Sequence, residues 1–129
     1  MTPSFPGADP SDMLFRLLSA ALPGVDVGWD MPSGDGPKCL IILSPGTCPT
    51  PITQHMTVSL SCYATQPDGS CDWVAAAGMF SDGVRALLSH RKTRPLVDAA
   101  IQSGPIRRHD GQLGIDYAYG EVLLTVATR

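Results

Sequence analysis

A chain of 129 residues, 43% hydrophobic and 16% charged, is long enough for one domain with a core that needs neither metal nor disulfide, and too short for two. It has no apolar run near the ~20 residues that span a bilayer, and its start, MTPSFPGADP, lacks the basic and apolar blocks of a secretory signal, so synthesis and use in the cytoplasm, away from membranes, are expected. The formal charge of −3 hides an asymmetry: residues 1–82 carry Arg16 and Lys38 against eight aspartates, whereas residues 83–129 carry seven basic side chains against four acids.

Residues 1–8 are a polar, proline-containing lead-in, and 9–129 form the single domain. Asp9 followed by Pro10 reads as an N-cap with proline at the first helical position, and Leu14, Leu17, Leu18 and Ala21 repeat at helical spacing until Pro23 and Gly24. Val25–Trp29 is a short extended piece, and the turn-rich stretch Met31–Pro37 a loop. KCLIIL, residues 38–43, reads as a strand buried on both faces, closed by a proline-rich loop from Ser44 to Pro51 that does not suit a sheet. From Gln54 to Tyr63 the chain alternates, with Met56, Val58, Leu60 and Cys62 on one face and His55, Thr57, Ser59, Ser61 and Tyr63 on the other.

Residues 70–90 form the central amphipathic helix, with Ser70 as N-cap, Asp72 in the first turn, and Trp73, Ala77, Phe80, Val84, Leu87 and Leu88 within one apolar arc. His90, Arg91 and Lys92 follow where the helix dipole favours cations. A strand around Ala99–Arg107 is favoured over a helical turn because Gly104 and Pro105 interrupt any helix, and Asp110-Gly111 makes a hairpin into a last strand, Ile115–Thr128, in which Gly120 marks a bulge. The elements run helix, three strands, helix, two strands. They predict an α+β fold: a mixed, mainly antiparallel sheet of four to five strands covered by two helices.

Chemical motifs are sparse. Cys39, Cys48, Cys62 and Cys71 contain no CxxC pair and read as buried or semi-buried free thiols. No local signature joins Cys62 or Cys71 to His55, His90 or His109 as a nucleophile and base, and the aspartates sit mostly in loops or at element ends, where turns and caps explain them. No phosphate-cradling glycine motif occurs. Neither catalytic residues nor a metal or cofactor is expected. The basic set Arg91, Lys92, Arg94, Arg107 and Arg108 is not interleaved with aromatics and suits a solvated or backbone-facing surface better than a base reader. The charge asymmetry itself has two readings: unrelated solvated faces, or an acidic and a basic pole of the kind that favours head-to-tail or ring assembly and passage of a polyanion.

Several segments resemble the tail terminator (tail completion, minor tail) proteins of long-tailed phages: MLFRLLSAALPGV, KCLIILSPG, HMTVSLSCYA, VAAAGMFSDGVRALL, the Gly104-Pro105 pair and the closing YAYGEVLLTVATR. The likeness runs from about residue 11 to 129 and lies in the pattern of elements; SPG stands where relatives often carry a double glycine. The resemblance implies a non-enzymatic virion protein that forms a hexameric ring of identical subunits on the head-proximal end of the tail tube. There it stops polymerisation of the major tail tube protein, meets the head-completion (stopper) protein, and passes DNA through its lumen without reading sequence. On that reading Arg107 and Arg108, with Arg91, Lys92 and Arg94, are candidates for the lumen or an inter-ring surface. Asp35, Lys38, Thr47 and Thr50 are candidate loop contacts with the next ring. A head-tail stopper or other neck protein, a small cysteine-dependent enzyme and a generic α/β binding domain are the competing readings.

Overall fold

The computed structural model describes residues 8–31, 36–48, 50 and 52–127. They fold as α1 (Ser11–Ala21), β1 (Asp26–Gly28), β2 (Lys38–Pro45), β3 (Thr53–Tyr63), α2 (Trp73–Ser89), β4 (Leu96–Asp110) and β5 (Ile115–Ala127). The strands make one open sheet in the order β1-β2-β3-β5-β4, with β1 parallel to β2 and every other pair antiparallel. This is an α+β fold with the predicted order of elements. Of the lead-in, residues 1–7 lie outside the described residues, and Ala8 already joins the domain by donating its N–H to the Ala127 carbonyl at 2.9 Å.

Alternation in β3 and β5 decides which face is covered. Met56, Val58, Leu60 and Cys62 in β3, and Ala118, Val122, Leu124 and Val126 in β5, are all fully buried on one face. The two helices lie against that face: α1 contributes Leu14 and Leu18, and α2 contributes Ala76, Phe80, Val84 and Leu87. Each buried Val, Leu, Met or Phe side chain among them contributes about 1.5–3 kcal/mol relative to exposure. Trp73, Ala77 and Leu88, expected inside the apolar arc of α2, are half-buried at its margins.

Both helix starts differ from expectation by local hydrogen bonding. Ser70 does not cap α2: its N–H and hydroxyl both turn onto the Asp68 carboxylate (3.0 and 2.6 Å), closing the preceding turn. Asp72 is the cap, accepting the Ala75 N–H at 3.2 Å, so the helix begins at Trp73. At α1, Pro10 holds the cap position, and Asp9 instead binds the backbone and hydroxyl of Ser11 (2.9 and 2.6 Å).

Two strand expectations are corrected. β2 is not buried on both faces: Cys39 and Ile41 are buried, but Ile42 is 49% exposed, because no helix covers the second face of the sheet. Nor does the proline-rich segment leave the sheet at Ser44; the ladder continues to Pro45 opposite Met56. β1 pairs only with Lys38–Leu40, so the far half of β2 is an edge, where a residue lacking an N–H is tolerated.

β4 is longer than the predicted strand. It absorbs Gly104 and Pro105 by register shifts on either side of Ser103, so the irregularity expected at Gly120 lies on the opposite strand. Gly104 has φ +103°, and its Cα and that of Gly120 face each other over the ring of Phe80. A Cβ on Gly120 would stand 2.3 Å from the Phe80 ring and 2.5 Å from the Ser103 carbonyl oxygen. Two glycines on neighbouring strands thus make the hollow that lets Phe80, the largest fully buried side chain of α2, reach the sheet.

Among the described residues, no helix is long and apolar enough to cross a membrane.

Candidate functional site

The far end of the β4–β5 hairpin is held by polar side chains on both faces. Asp110 closes the turn by accepting the N–H groups of Gln112 (2.9 Å) and Leu113 (3.0 Å), and its other oxygen accepts the Tyr63 hydroxyl at 3.0 Å. The Tyr63 ring stacks on Tyr117 at 4.7 Å between centroids. A turn in the second half of the chain is thereby tied to β3. The Leu113 N–H above all, with the Tyr63 hydroxyl, holds the Asp110 carboxyl below its ordinary pKa, while burial and then Asp110 push the Tyr63 phenol up.

Arg107 and Arg108 do not share a surface. Successive strand residues point to opposite faces, and each guanidinium has its own anchor. On the helix-covered face Arg107 donates from Nε to Asp116 at 2.8 Å and lies 5.4 Å from the Trp73 ring centroid. On the open face Arg108 sits 3.9 Å above Tyr119, whose hydroxyl donates to Glu121 at 2.9 Å. His109 returns to the first face and meets the other Asp116 oxygen through Nδ1 at 2.8 Å. An ionised carboxylate only accepts, so Nδ1 carries the proton.

His109 first, and then Arg107, hold the Asp116 carboxyl below its ordinary pKa. Because the folded pKa is depressed, the stabilisation is present above the unfolded value near 3.9 and lost as pH falls through the folded one. Melting temperature is therefore expected to drop on acidification below about pH 4, and Asp116→Asn to lower it at neutral pH while flattening that acid dependence. Thermal melts across the acid range check this; parallel curves for the two proteins would contradict it.

The other three cations lie at the opposite end of β4. Arg91 is 3.8 Å from Asp98, and Lys92 and Arg94 are exposed with no ion pair among the described residues. Leu96 stands opposite Val126 and Arg107 opposite Ala118, eight residues apart on β5, so at about 3.3 Å per strand residue this group lies roughly 25 Å from Arg107 and Arg108. The five basic residues therefore make two clusters at the ends of one edge strand, not one patch. The intervening edge is apolar, with Ile101 50% and Ile106 44% exposed, and a groove of about 290 Å³ runs between β4 and α2 over Phe80, Val84, Leu88, Ile101 and Pro105.

The predicted loop contacts scatter. Lys38 is half-buried within β2 opposite Tyr63 and donates to the Gly36 carbonyl at 3.0 Å. The Thr47 carbonyl accepts the His55 N–H at 2.8 Å, and the Thr50 hydroxyl bonds that of Thr53 at 2.6 Å, so both brace the β2–β3 connection. Asp35 lies outside the described residues.

The thiols are separate from the histidines. Cys39 and Cys62 face each other across β2 and β3 inside the core, sulfur to sulfur at 3.9 Å, and the contact with Cys39, with burial, pushes the Cys62 thiol far up. Cys71 is half-buried and Cys48 exposed, and all four are free. Among the described residues, no hydrogen bond joins a cysteine to a histidine, and no three His, Cys, Asp or Glu side chains converge as metal ligands.

Sheet order gives the charge asymmetry a shape. The acidic first half supplies the β1 edge, where Asp26 and Asp30 are exposed and without an ion pair among the described residues, and α1, which packs beside it, adds Asp12 paired to Arg16. The basic half supplies the β4 edge. Among the described residues, the unpaired Asp26 and Asp30 and the unpaired Lys92 and Arg94 therefore stand at opposite margins of one open sheet, while Asp68, Asp72 and Asp82 of the same acidic half lie on the β3–α2 connection and on α2.

Comparison with models of known protein families finds none that matches the chain, and comparison with curated proteins also finds no match.

Proposed function

We propose that the chain is a structural virion protein that caps the head-proximal end of a phage tail tube as a hexameric ring. In that role it ends polymerisation of the tube protein, presents a surface to the head-completion protein, and lets DNA pass through the lumen without catalysis or a cofactor. The observation that carries the reading is the placement of opposite charge at the two margins of an open sheet. Copies laid side by side meet through unlike edges, and a repeating unlike contact closes into a ring when its rotation allows. The order of elements is the one implied by the segments that resemble tail terminators, and those segments coincide with α1, β2, β3, α2 and β5.

A ring in contact with DNA needs cations that are not consumed by internal pairing. Lys92 and Arg94 meet that requirement better than Arg107, whose charge is spent on Asp116. The Thr47 and Thr50 segment, carrying Ile52 at 71% exposure, is suited to the next ring. A neck stopper built on a closed barrel fits less well, since the sheet is open and covered on one face by helices.

The test is to add the purified chain to tail tubes made without a terminator and image them. A hexameric ring at one end, with no further growth when tube subunits are supplied, is the expected result. Tubes that bind no chain, or bind it along their length, and continue to grow would overturn the reading.

A further inference from the structure

We propose that Cys39 and Cys62 are a latent cross-strand disulfide, a redox-modification site closed by thiol–disulfide exchange with a small-molecule disulfide of the glutathione class. The bond is argued from the sheet alone and needs neither the ring nor the tail.

Register brings the two thiols together. Cys39 on β2 stands directly opposite Cys62 on β3, in a ladder that runs in step from the Lys38–Tyr63 pair to the Pro45–Met56 pair. His55 turns both of its backbone groups toward the β2 side, accepting the Gly46 N–H and donating to the Thr47 carbonyl, each at 2.8 Å. These directions alternate along a strand, so Cys62, an odd number of residues further on, turns its own groups toward β5. Cys39 and Cys62 therefore form a non-hydrogen-bonded pair, the closer of the two kinds, with Cα atoms about 4.5 Å apart. A disulfide accepts Cα separations of about 4.4–6.8 Å. The sulfurs are 3.9 Å apart and both side chains are fully buried, so closing to the ~2.05 Å of a bond takes side-chain rotation and no change of register.

The closed fold also guards the pair. Contact with Cys39, and then burial, push the Cys62 thiol far up, and a protonated thiol is a poor nucleophile. Exchange begins where the sheet opens most readily. At Cys39 the outer side of β2 is bordered only by Asp26–Gly28 of β1, an edge strand with few hydrogen bonds to release. With that edge open, the Cys39 thiolate attacks one sulfur of the small disulfide and expels a small thiolate, leaving a mixed disulfide. As β2 returns to register, the Cys62 thiolate attacks the Cys39 sulfur and expels the second small thiolate. One protein S–S bond replaces that of the small molecule. The protein gives up two electrons and two protons, and the small disulfide takes them up as two thiols.

The test uses the full chain carrying Cys48→Ser and Cys71→Ser, an exposed and a half-buried position, so that the pair holds the only thiols. It is incubated with oxidised glutathione in urea just below the unfolding transition and returned to native buffer. Cleavage at methionine with cyanogen bromide then parts Cys39, in fragment 32–56, from Cys62, in fragment 57–79. The expected product has lost two hydrogens, carries no glutathione, and keeps the two fragments joined until dithiothreitol is added. A cross-link that the native register accepts restricts the unfolded chain, so the folding equilibrium constant of the oxidised protein is expected to exceed that of the reduced one by about 30-fold or more, the lower end for a native cross-link. With Cys39→Ala added, the expected product is the mixed disulfide at Cys62, with fragments that separate. A two-thiol chain that stays reduced, retains glutathione, or links to a second molecule instead would overturn the proposal. So would an oxidised chain no more stable than the reduced one, since the bond would then oppose the register said to form it.

Discussion

Phe80→Ala is expected to cost about 3–5 kcal/mol, the range for removing a buried aromatic ring, and to bring the protein close to unfolding at physiological temperature given a typical total of 5–15 kcal/mol. Phe80 is 1% exposed at the middle of α2, and its ring enters the hollow between Gly104 on β4 and Gly120 on β5. The cavity left behind cannot collapse easily, since the strands on either side are held in register by their ladder. Urea unfolding followed by far-ultraviolet circular dichroism would read the loss as a fall in midpoint at nearly constant slope. A loss below about 1 kcal/mol, typical of an exposed position, would show that the ring does not hold the helix to the sheet.

Gly120→Ala is the complementary experiment, and a destabilisation of about 1–3 kcal/mol or more is expected from overpacking. The added methyl would meet two ring carbons of Phe80 at 2.3 and 2.5 Å and the Ser103 carbonyl oxygen at 2.5 Å, so both the helix and the neighbouring strand must shift. The pair is coupled. With Phe80→Ala already present, two of those three contacts vanish and only the backbone one persists, so the methyl is expected to cost less than it does alone. A double-mutant cycle would show an interaction energy of about 0.5–3 kcal/mol. Strict additivity would mean that the glycine and the ring act independently.

These two residues mark where sequence reasoning stops. Helical spacing places Phe80 on the buried face, and the β-rich pattern around Gly120 places it in a strand, but nothing in one dimension says that the two meet. Gly120 reads as a bulge when considered alone. The irregularity belongs to its partner strand, where Gly104 adopts φ +103°. Pairing partners of residues some twenty or forty positions apart are set by the sheet, not by local propensity.

The arginine pair carries the same lesson for the candidate site. Arg107 and Arg108 are adjacent in sequence and read as one basic unit, yet strand geometry sends them to opposite faces, one onto Asp116 and the other onto Tyr119. Reversing both charges would place a carboxylate beside Asp116 and remove a ring contact on the other face, so such a variant reports on hairpin packing as well as on any partner. Lys92 and Arg94, exposed and unpaired among the described residues, are the cleaner probes. Tyr63 and Asp110 were legible only as a strand residue and a turn residue. Their hydrogen bond, across 47 positions, exists because β3 finishes at the same end of the sheet as the hairpin tip.

What the sequence by itself determined is what depends on neighbours along the chain. Period-2 and period-3.6 patterns, with glycine and proline between them, define seven elements in the observed order, the covered face of β3 and the apolar face of α2. It also contains the charge imbalance between its halves. Only the tertiary structure decided that this imbalance becomes a separation in space. The order β1-β2-β3-β5-β4 puts the first strand and β4 at opposite edges, so Asp26 and Asp30 of the acidic half stand across the sheet from Lys92, Arg94 and Arg108 of the basic half.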